Sequence, residues 1–231
     1  MYKFYLYLSV LASTLLFGCG SKSYEDIQPR ELPSDRKGLQ STMNQNQEED
    51  EWQQIWDERL AVLERELGKS DENIATSLIP IYAGGGADVL TFQNHLDGVA
   101  YVTAGLIGHC DQRETSLGQY ELMMCFRDEN EWAPSLLSKL APYTFQAALN
   151  PNDTMEIGPA LPEDATLSAL LFVNYLQFQF RKQEAGILLC IGITAEELKM
   201  CQAGETEAVL QKIKEERVFP FTEIQRNSVM P

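Results

Sequence analysis

The fold of this chain is decided by residues 187–197, which read Ile187-Leu188-Leu189-Cys190-Ile191-Gly192-Ile193-Thr194-Ala195-Glu196-Glu197. The first part of this stretch is short and continuously apolar, which is typical of a central β-strand with both faces buried. The second part begins with Thr194 and has Glu197 at the spacing of a capping box, a motif that opens an α-helix. The stretch therefore predicts a buried strand that leads directly into a helix.

Shorter apolar runs elsewhere in the chain predict more strands. They lie at residues 78–82, 98–104, 119–126 and 170–180. The polar residues 110–118 predict the loop of a long hairpin between the second and third of these runs.

Helical patterns alternate with these runs in the second half of the chain. One begins near Trp132, with Pro134 in its first turn, and Pro142 should end or kink it. Another follows Gly204 and should end before Pro220. Together the elements predict an α+β fold, a mixed β-sheet flanked by helices.

An acidic amphipathic helix is predicted over residues 48–68, ahead of the first strand. Its apolar stripe should pack on the core, although an exposed helix that binds a partner is the alternative. Gly68 is placed to cap its C-terminus. The stripe consists of Trp52, Trp56, Leu60, Leu63 and Leu67, and the acidic face of Glu48, Glu49, Asp50, Glu51, Asp57, Glu58, Glu64 and Glu66.

The N-terminus has the pattern of an export signal. Residues 1–18 contain an apolar run that is short for a membrane span, which indicates a lipoprotein signal peptide. The signal ends at Cys19, which we expect to carry the lipid (palmitate) anchor. Residues 19–47 are polar and predict a flexible tether. These features predict a bacterial envelope protein that is lipid-anchored at the outer membrane.

The charge of the chain limits its partners. Among 231 residues, 18 Lys and Arg stand against 34 Asp and Glu, which gives a formal net charge of −16. Nucleic acid is excluded as the main ligand because phosphate binding needs clustered cations. The same charge attracts basic proteins, and with 2 His the chain is poor in side chains that transfer protons near neutral pH.

The sequence His109-Cys110-Asp111, with His95 upstream, is the most suggestive chemical motif. It offers the residue types of a cysteine nucleophile or a zinc site. However, neighbouring residues of an extended chain point to opposite sides, and no Cys-x-x-Cys spacing is present. We therefore predict no catalytic residue, no metal and no cofactor, and a Cys- or metal-dependent envelope hydrolase remains the less favoured alternative.

Two further predictions concern buried polar groups. Glu121 lies in an apolar run, so it is either a buried carboxylate facing Arg226 or a solvent-facing strand residue. Beyond Cys19, four cysteines could form two disulfides, but two of them lie in apolar strands, which favours free thiols. These four are Cys110, Cys125, Cys190 and Cys201.

Several segments, taken in order, resemble the Suppressor of fused family. The likeness covers about residues 88–230 and supports a Suppressor of fused-like domain over residues 48–231. The segments are Tyr101-Val102-Thr103-Ala104-Gly105-Leu106, Tyr120-Glu121-Leu122, Trp132…Leu136-Leu137…Leu140-Ala141…Tyr143, Ile193-Thr194…Glu197-Leu198 and Phe221-Thr222…Arg226-Asn227-Ser228-Val229.

The resemblance implies a non-enzymatic binding module. Animal members bind a short peptide of a transcription factor as an added strand, and bacterial relatives resemble immunity proteins against toxins. We therefore expect a module that masks a protein partner, such as a basic toxin, and an envelope scaffold acting through the acidic helix is the alternative. The expected partner-binding residues are His95, Asp97, His109, Asp111 and Glu114, which lie in polar segments beside strands.

Overall fold

The structure is a computed structural model that describes the backbone of residues 35–230 and the side chains of residues 51–230. The chain divides into two units, residues 1–44 and residues 45–231. The predicted signal peptide, Cys19 and the tether up to residue 34 lie outside the described residues. None of the described helices is both long and apolar enough to cross a membrane.

Four helices and six strands form the described part. The helices are α1 (Asp35–Leu67), α2 (Trp132–Leu140), α3 (Ala195–Gln202) and α4 (Thr206–Glu215). The strands are β1 (Asp88–His95), β2 (Gly98–Ala104), β3 (Gln119–Phe126), β4 (Thr154–Glu156), β5 (Leu167–Phe180) and β6 (Gln183–Thr194).

The six strands form one mixed sheet in the order β1-β2-β3-β6-β5-β4. β3 and β6 are parallel, and every other neighbouring pair is antiparallel. The predicted central strand is therefore confirmed, because β6 has a hydrogen-bonded neighbour on each side. The predicted hairpin of β2 and β3 is confirmed as well.

Both faces of the sheet are covered. One face packs against α1, α3, α4 and the C-terminal tail, and the other packs against α2 and the turn that follows it. Along β6, Ile187 and Leu189 belong to the first core, whereas Leu188 and Cys190 belong to the second. This alternation follows from the two-residue period of a strand.

Helix α1 confirms the predicted stripe except at Trp52, since Trp56 and Leu60 are partly buried against the first core. Leu63 and Leu67 are buried in the first core, while Trp52 is 50% exposed. Gly68 has a positive φ of 97° and its N–H donates to Glu64 O, which closes the helix as predicted. The helix begins at Asp35 rather than at residue 48, so the predicted tether is helical over residues 35–47.

The strand predicted at residues 78–82 is wrong. Ile81–Ala83 form a short 3-10 helix, and the N–H groups of Ala83 and Gly85 donate back to Pro80 O. Pro80 has no N–H to give to a sheet ladder, so the chain satisfies its hydrogen bonds locally in a turn.

The capping box is confirmed, and it brings together a buried ion pair. Glu197 Oε2 accepts the N–H of Thr194 at 2.9 Å, and both carboxylate oxygens bind Arg226 at 2.5 and 2.6 Å. Arg226 therefore pairs with Glu197. The pairing with Glu121 that the sequence suggested is wrong. The contact holds the C-terminal tail against the start of α3.

Candidate functional site

An open cleft lies at the end of the sheet where β2 ends and β3 begins. It is formed by α1, the loop between β2 and β3, and the tip of the β5–β6 hairpin, and its volume is about 380 Å³. Two carboxylates, from Glu51 and Glu114, and one guanidinium, from Arg181, line it, so its net charge is negative. The lining residues are Glu51, Ile55, Gly108, Cys110, Glu114, Gln119, Phe180, Arg181 and Gln183.

The loop beside the cleft is held by a fully buried carboxylate. Glu121 Oε1 accepts the N–H groups of Gly105, Leu106 and Ile107 at 2.9–3.1 Å. Its other oxygen accepts the Thr103 hydroxyl at 2.6 Å. Glu121 is therefore the buried carboxylate that the sequence suggested, and it fixes the start of the loop.

The cation beside Glu121 comes from α1. Arg59 Nε lies 3.5 Å from Glu121 Oε1, and the Arg59 guanidinium donates to Ile107 O. Burial raises the pKa of Glu121, while Arg59 and the hydrogen-bond donors oppose that rise. Arg59 thus joins α1 to the loop.

The segment of residues 109–111 turns instead of running extended. As a result, the potential ligand atoms of His109, Cys110 and Asp111 all lie within 4.8 Å of one another. The objection that neighbouring side chains must point apart is therefore wrong here. His109 is buried and stacks on Phe145 with ring centroids 4.4 Å apart, and burial lowers its pKa.

The cysteines agree with the prediction of free thiols. All four in the described part are free, and only Cys110 is exposed. Burial raises the pKa of Cys125 to about 12 and raises that of Cys190 as well.

The β5–β6 hairpin closes the other side of the cleft. Its two turn residues, Arg181 and Lys182, both have positive φ, which fits a two-residue primed turn without the usual Asn-Gly. Arg181 pairs with Glu58 of α1. The hairpin tip is thereby tied to the helix.

The outer side of β5 is open beyond β4. β4 covers Ala169–Leu171, and the N–H of Phe172 donates to Asp153 O. From Val173 to Phe180, no other strand within residues 35–230 pairs with this side. This segment is called the free β5 edge below.

Hairpin geometry shows which backbone groups point outward from the free β5 edge. Phe180 and Gln183 flank the two-residue turn, so they exchange hydrogen bonds, and hydrogen-bonded and non-bonded pairs alternate from there. Gln179 and Gln177 occupy the non-bonded positions. Their N–H and C=O groups therefore point away from β6.

The opposite edge of the sheet is partly closed. A segment before β1 lies along it, where Ala75 exchanges two backbone hydrogen bonds with Val89. The N–H of Asp71 donates to Thr91 O at 2.7 Å. The free β5 edge is consequently the better site for an added strand.

The five predicted partner-binding residues fall into two groups. His109, Asp111 and Glu114 lie in the loop that includes the cleft residues, whereas His95 and Asp97 lie at the β1–β2 turn. The two places are at opposite ends of β2, a strand of 7 residues, or about 20 Å apart at ~3.3 Å per residue. One small ligand therefore cannot contact both groups.

His95 joins three elements through a hydrogen-bond chain. Its Nδ1 lies 3.1 Å from Leu67 O, and its Nε2 lies 2.6 Å from the Tyr175 hydroxyl. Because a carbonyl only accepts, Nδ1 carries the proton and Tyr175 donates to Nε2. The neutral ring thus ties β1 to α1 and β5.

We expect the protein to lose stability in mild acid through His95. Burial lowers its pKa below the usual value, so the unfolded chain binds the proton more readily. The contribution of His95 to the free energy of unfolding is then fully present above about pH 6.5. It falls as the pH drops toward the folded-state pKa, by at most about 1.4 kcal/mol per pH unit. Thermal melts of the wild type and of His95→Asn between pH 7.5 and 5 test this. The substitution should flatten the slope, and an unchanged slope would contradict the assignment.

A second exposed surface is apolar. The Trp52 and Tyr82 rings lie 6.2 Å apart, and Leu78 and Ile79 beside Tyr82 in the chain are also exposed. The turn that replaces the predicted strand at residues 78–82 leaves these apolar side chains exposed.

Sequence reasoning also missed Arg59 and the free β5 edge. A signal for Arg59 existed, since it lies on the apolar side of α1 between Trp56 and Leu63. No sequence signal indicated the edge, because it depends on how short β4 is.

The fold and the cleft define a class of α+β domains whose sheet has one open edge within residues 35–230. A sequence model described as Suppressor of fused protein (SUFU) matches residues 86–227. The chain belongs to the Suppressor of fused family. No curated protein sequence matches it significantly.

Solved structures of the family share this fold. A Suppressor of fused homologue from Neisseria gonorrhoeae superposes with a TM-score of 0.60 at 18% identity, covering 78% of this chain and 98% of its own. The structure of the Sufu–Fu complex superposes with a TM-score of 0.59 at 15% identity, and the match covers 77% of this chain and 91% of the other. Drosophila Suppressor of fused superposes with a TM-score of 0.55 at 15% identity, and the match covers 76% of this chain and 50% of the other. One of these relatives is thus seen bound to another protein.

Proposed function

We propose that this protein is a non-enzymatic, lipid-anchored module that masks a partner protein by binding an extended segment along the free β5 edge. The observation that carries the proposal is the outward-facing backbone of Gln177 and Gln179, which no described strand satisfies. Main-chain hydrogen bonds of an added strand would satisfy these groups and supply affinity.

The acidic cleft indicates the charge of the partner. Phe180, at the end of the free β5 edge, also lines the cleft, together with Glu51 and Glu114. A basic side chain next to the added strand would meet these carboxylates, and the net charge of −16 would speed its capture. A secreted toxin that acts at the cell envelope has the chemistry and location to be this partner, and the protein would then act as its immunity protein.

The proposal is tested by capture with two matched baits. Soluble residues 20–231 carrying Gln179→Pro or Gln179→Ala are exposed to envelope and secreted fractions of the producing bacterium. The proline removes the outward N–H, whereas the alanine removes only the side chain, which bonds Glu184. Proline is tolerated on edge strands where the missing N–H faces solvent, so both baits should fold.

We expect the wild type and Gln179→Ala to retain one basic protein. Gln179→Pro should bind it about tenfold more weakly, the upper end of what one neutral backbone hydrogen bond contributes. Charge reversal of Asp111 and Glu114 should also weaken binding and reduce its salt dependence. Equal capture by all baits would contradict strand addition at this edge.

The apolar surface at Trp52 and Tyr82 favours one alternative, an envelope scaffold that recruits its partner through α1. Deleting residues 44–68 cannot test it, because Leu63 and Leu67 are part of the core. Trp52→Ala with Tyr82→Ala leaves the core intact. If this variant alone loses the captured protein, the scaffold interpretation replaces the masking one.

A further inference from the structure

The turn at residues 109–111 places three different metal-binding groups together. An imidazole, a thiol and a carboxylate have their ligand atoms within 4.8 Å of one another. In a tetrahedral zinc site with bonds of about 2.0–2.3 Å, donor atoms lie about 3.3–3.8 Å apart. The three groups therefore need to close by about one ångström to hold an ion.

The burial of one side chain and the exposure of the other two suit that closure. His109 is held in place by burial and by its stacking on Phe145. Cys110 and Asp111 are exposed, so their side chains can rotate toward the imidazole. One ligand is thus preoriented and two can adjust.

The imidazole presents a lone pair to the turn. The N–H of Asp111 donates to His109 Nδ1 at 3.2 Å, which places the ring proton on Nε2. Asp111 Oδ2 lies 4.0 Å from the same nitrogen. A cation between them would replace one long hydrogen bond with two coordination bonds.

We propose that His109, Cys110 and Asp111 form a binding site for a borderline divalent cation such as Zn²⁺. Binding converts the Cys110 thiol to a thiolate and releases its proton to solvent, while the imidazole stays neutral and the carboxylate stays ionised. Cys110 also lines the cleft, so the remaining coordination position is open to water or to Glu114 there. The donor set of nitrogen, sulfur and oxygen favours zinc over magnesium or calcium, which take oxygen ligands.

The probe is the metal alone. Full chain carrying Cys19→Ala, so that residue 19 cannot contribute a thiolate, is purified in detergent without metal and titrated with Co²⁺ and then Zn²⁺. We expect a thiolate-to-cobalt charge-transfer band that saturates at one equivalent and is displaced by Zn²⁺. Isothermal titration gives the zinc affinity.

Matched variants decide whether the ion binds at this turn. Cys110→Ser should abolish the charge-transfer band and weaken zinc binding by more than about tenfold, a loss that even outer-shell changes can cause. Asp111→Asn should weaken zinc binding and keep the band, whereas Asp128→Asn on another loop should change neither. Absence of saturable binding in the parent chain, or equal affinity in Cys110→Ser, overturns the proposal. The result does not depend on whether a protein partner binds the free β5 edge.

Discussion

Replacing Arg226 with methionine is expected to lower the free energy of unfolding by about 3–5 kcal/mol, the usual effect of leaving a buried charge unpaired. Glu197 is fully buried, and Arg226 supplies two of its hydrogen bonds. Methionine fills similar space but leaves the carboxylate without a cation. Chemical denaturation of the two proteins measures the difference.

The double variant Glu197→Gln with Arg226→Met is the control for this pair. Glutamine can keep the capping contact with Thr194 and removes the charge, so the double variant should be more stable than Arg226→Met alone. Exposed ion pairs contribute less than about 1 kcal/mol to stability. If Arg226→Met lowers the free energy of unfolding by no more than that, the ion pair does not hold the C-terminal tail against α3.

Replacing Glu121 with leucine should lower the free energy of unfolding by a similar amount, about 3–5 kcal/mol. The change leaves three backbone N–H groups at residues 105–107 without their buried acceptor and the Arg59 guanidinium without its carboxylate partner. The loop beside the cleft should loosen as well. Denaturation measures the stability, and proteolysis within residues 105–118 reports on the loop.

Glutamine at the same position separates the two roles of Glu121. Its amide oxygen can still accept the three N–H groups, so Glu121→Gln should cost less than Glu121→Leu and keep the loop resistant to protease. Equal losses in the two variants would mean that the charge opposite Arg59, rather than the hydrogen bonds, holds the loop.

Local signals in the sequence were enough to predict much of the fold. The apolar run before Thr194, the capping box at Glu197 and the C-terminal cap at Gly68 each depend on neighbouring residues, and the structure confirms all three. The mixed sheet followed from the order of such elements. The Suppressor of fused resemblance rested on the same segments.

Features that depend on distant residues could not be predicted in this way. Glu121 was recognised as a buried carboxylate, but its cation proved to be Arg59 of α1, because pairing depends on how α1 packs. Residues 78–82 resembled a strand in composition, yet Pro80 turns them outward. The free β5 edge exists only because β4 stops after three residues.

The candidate site was predicted in part. His109, Asp111 and Glu114 do lie in the loop that lines the cleft, while His95 and Asp97 lie at the other end of the sheet. The long hairpin loop was visible in the sequence. Its approach to α1 and to the β5–β6 hairpin is a tertiary property.

Amide hydrogen exchange along the free β5 edge is the sharpest test of strand addition. The outward N–H groups of Gln177 and Gln179 have no strand partner within residues 35–230, so they should exchange quickly in the isolated protein. When the captured partner is added, we expect strong protection of these two amides. Protection confined to other surfaces, such as Trp52 and Tyr82, with Gln177 and Gln179 still exchanging quickly, would contradict it.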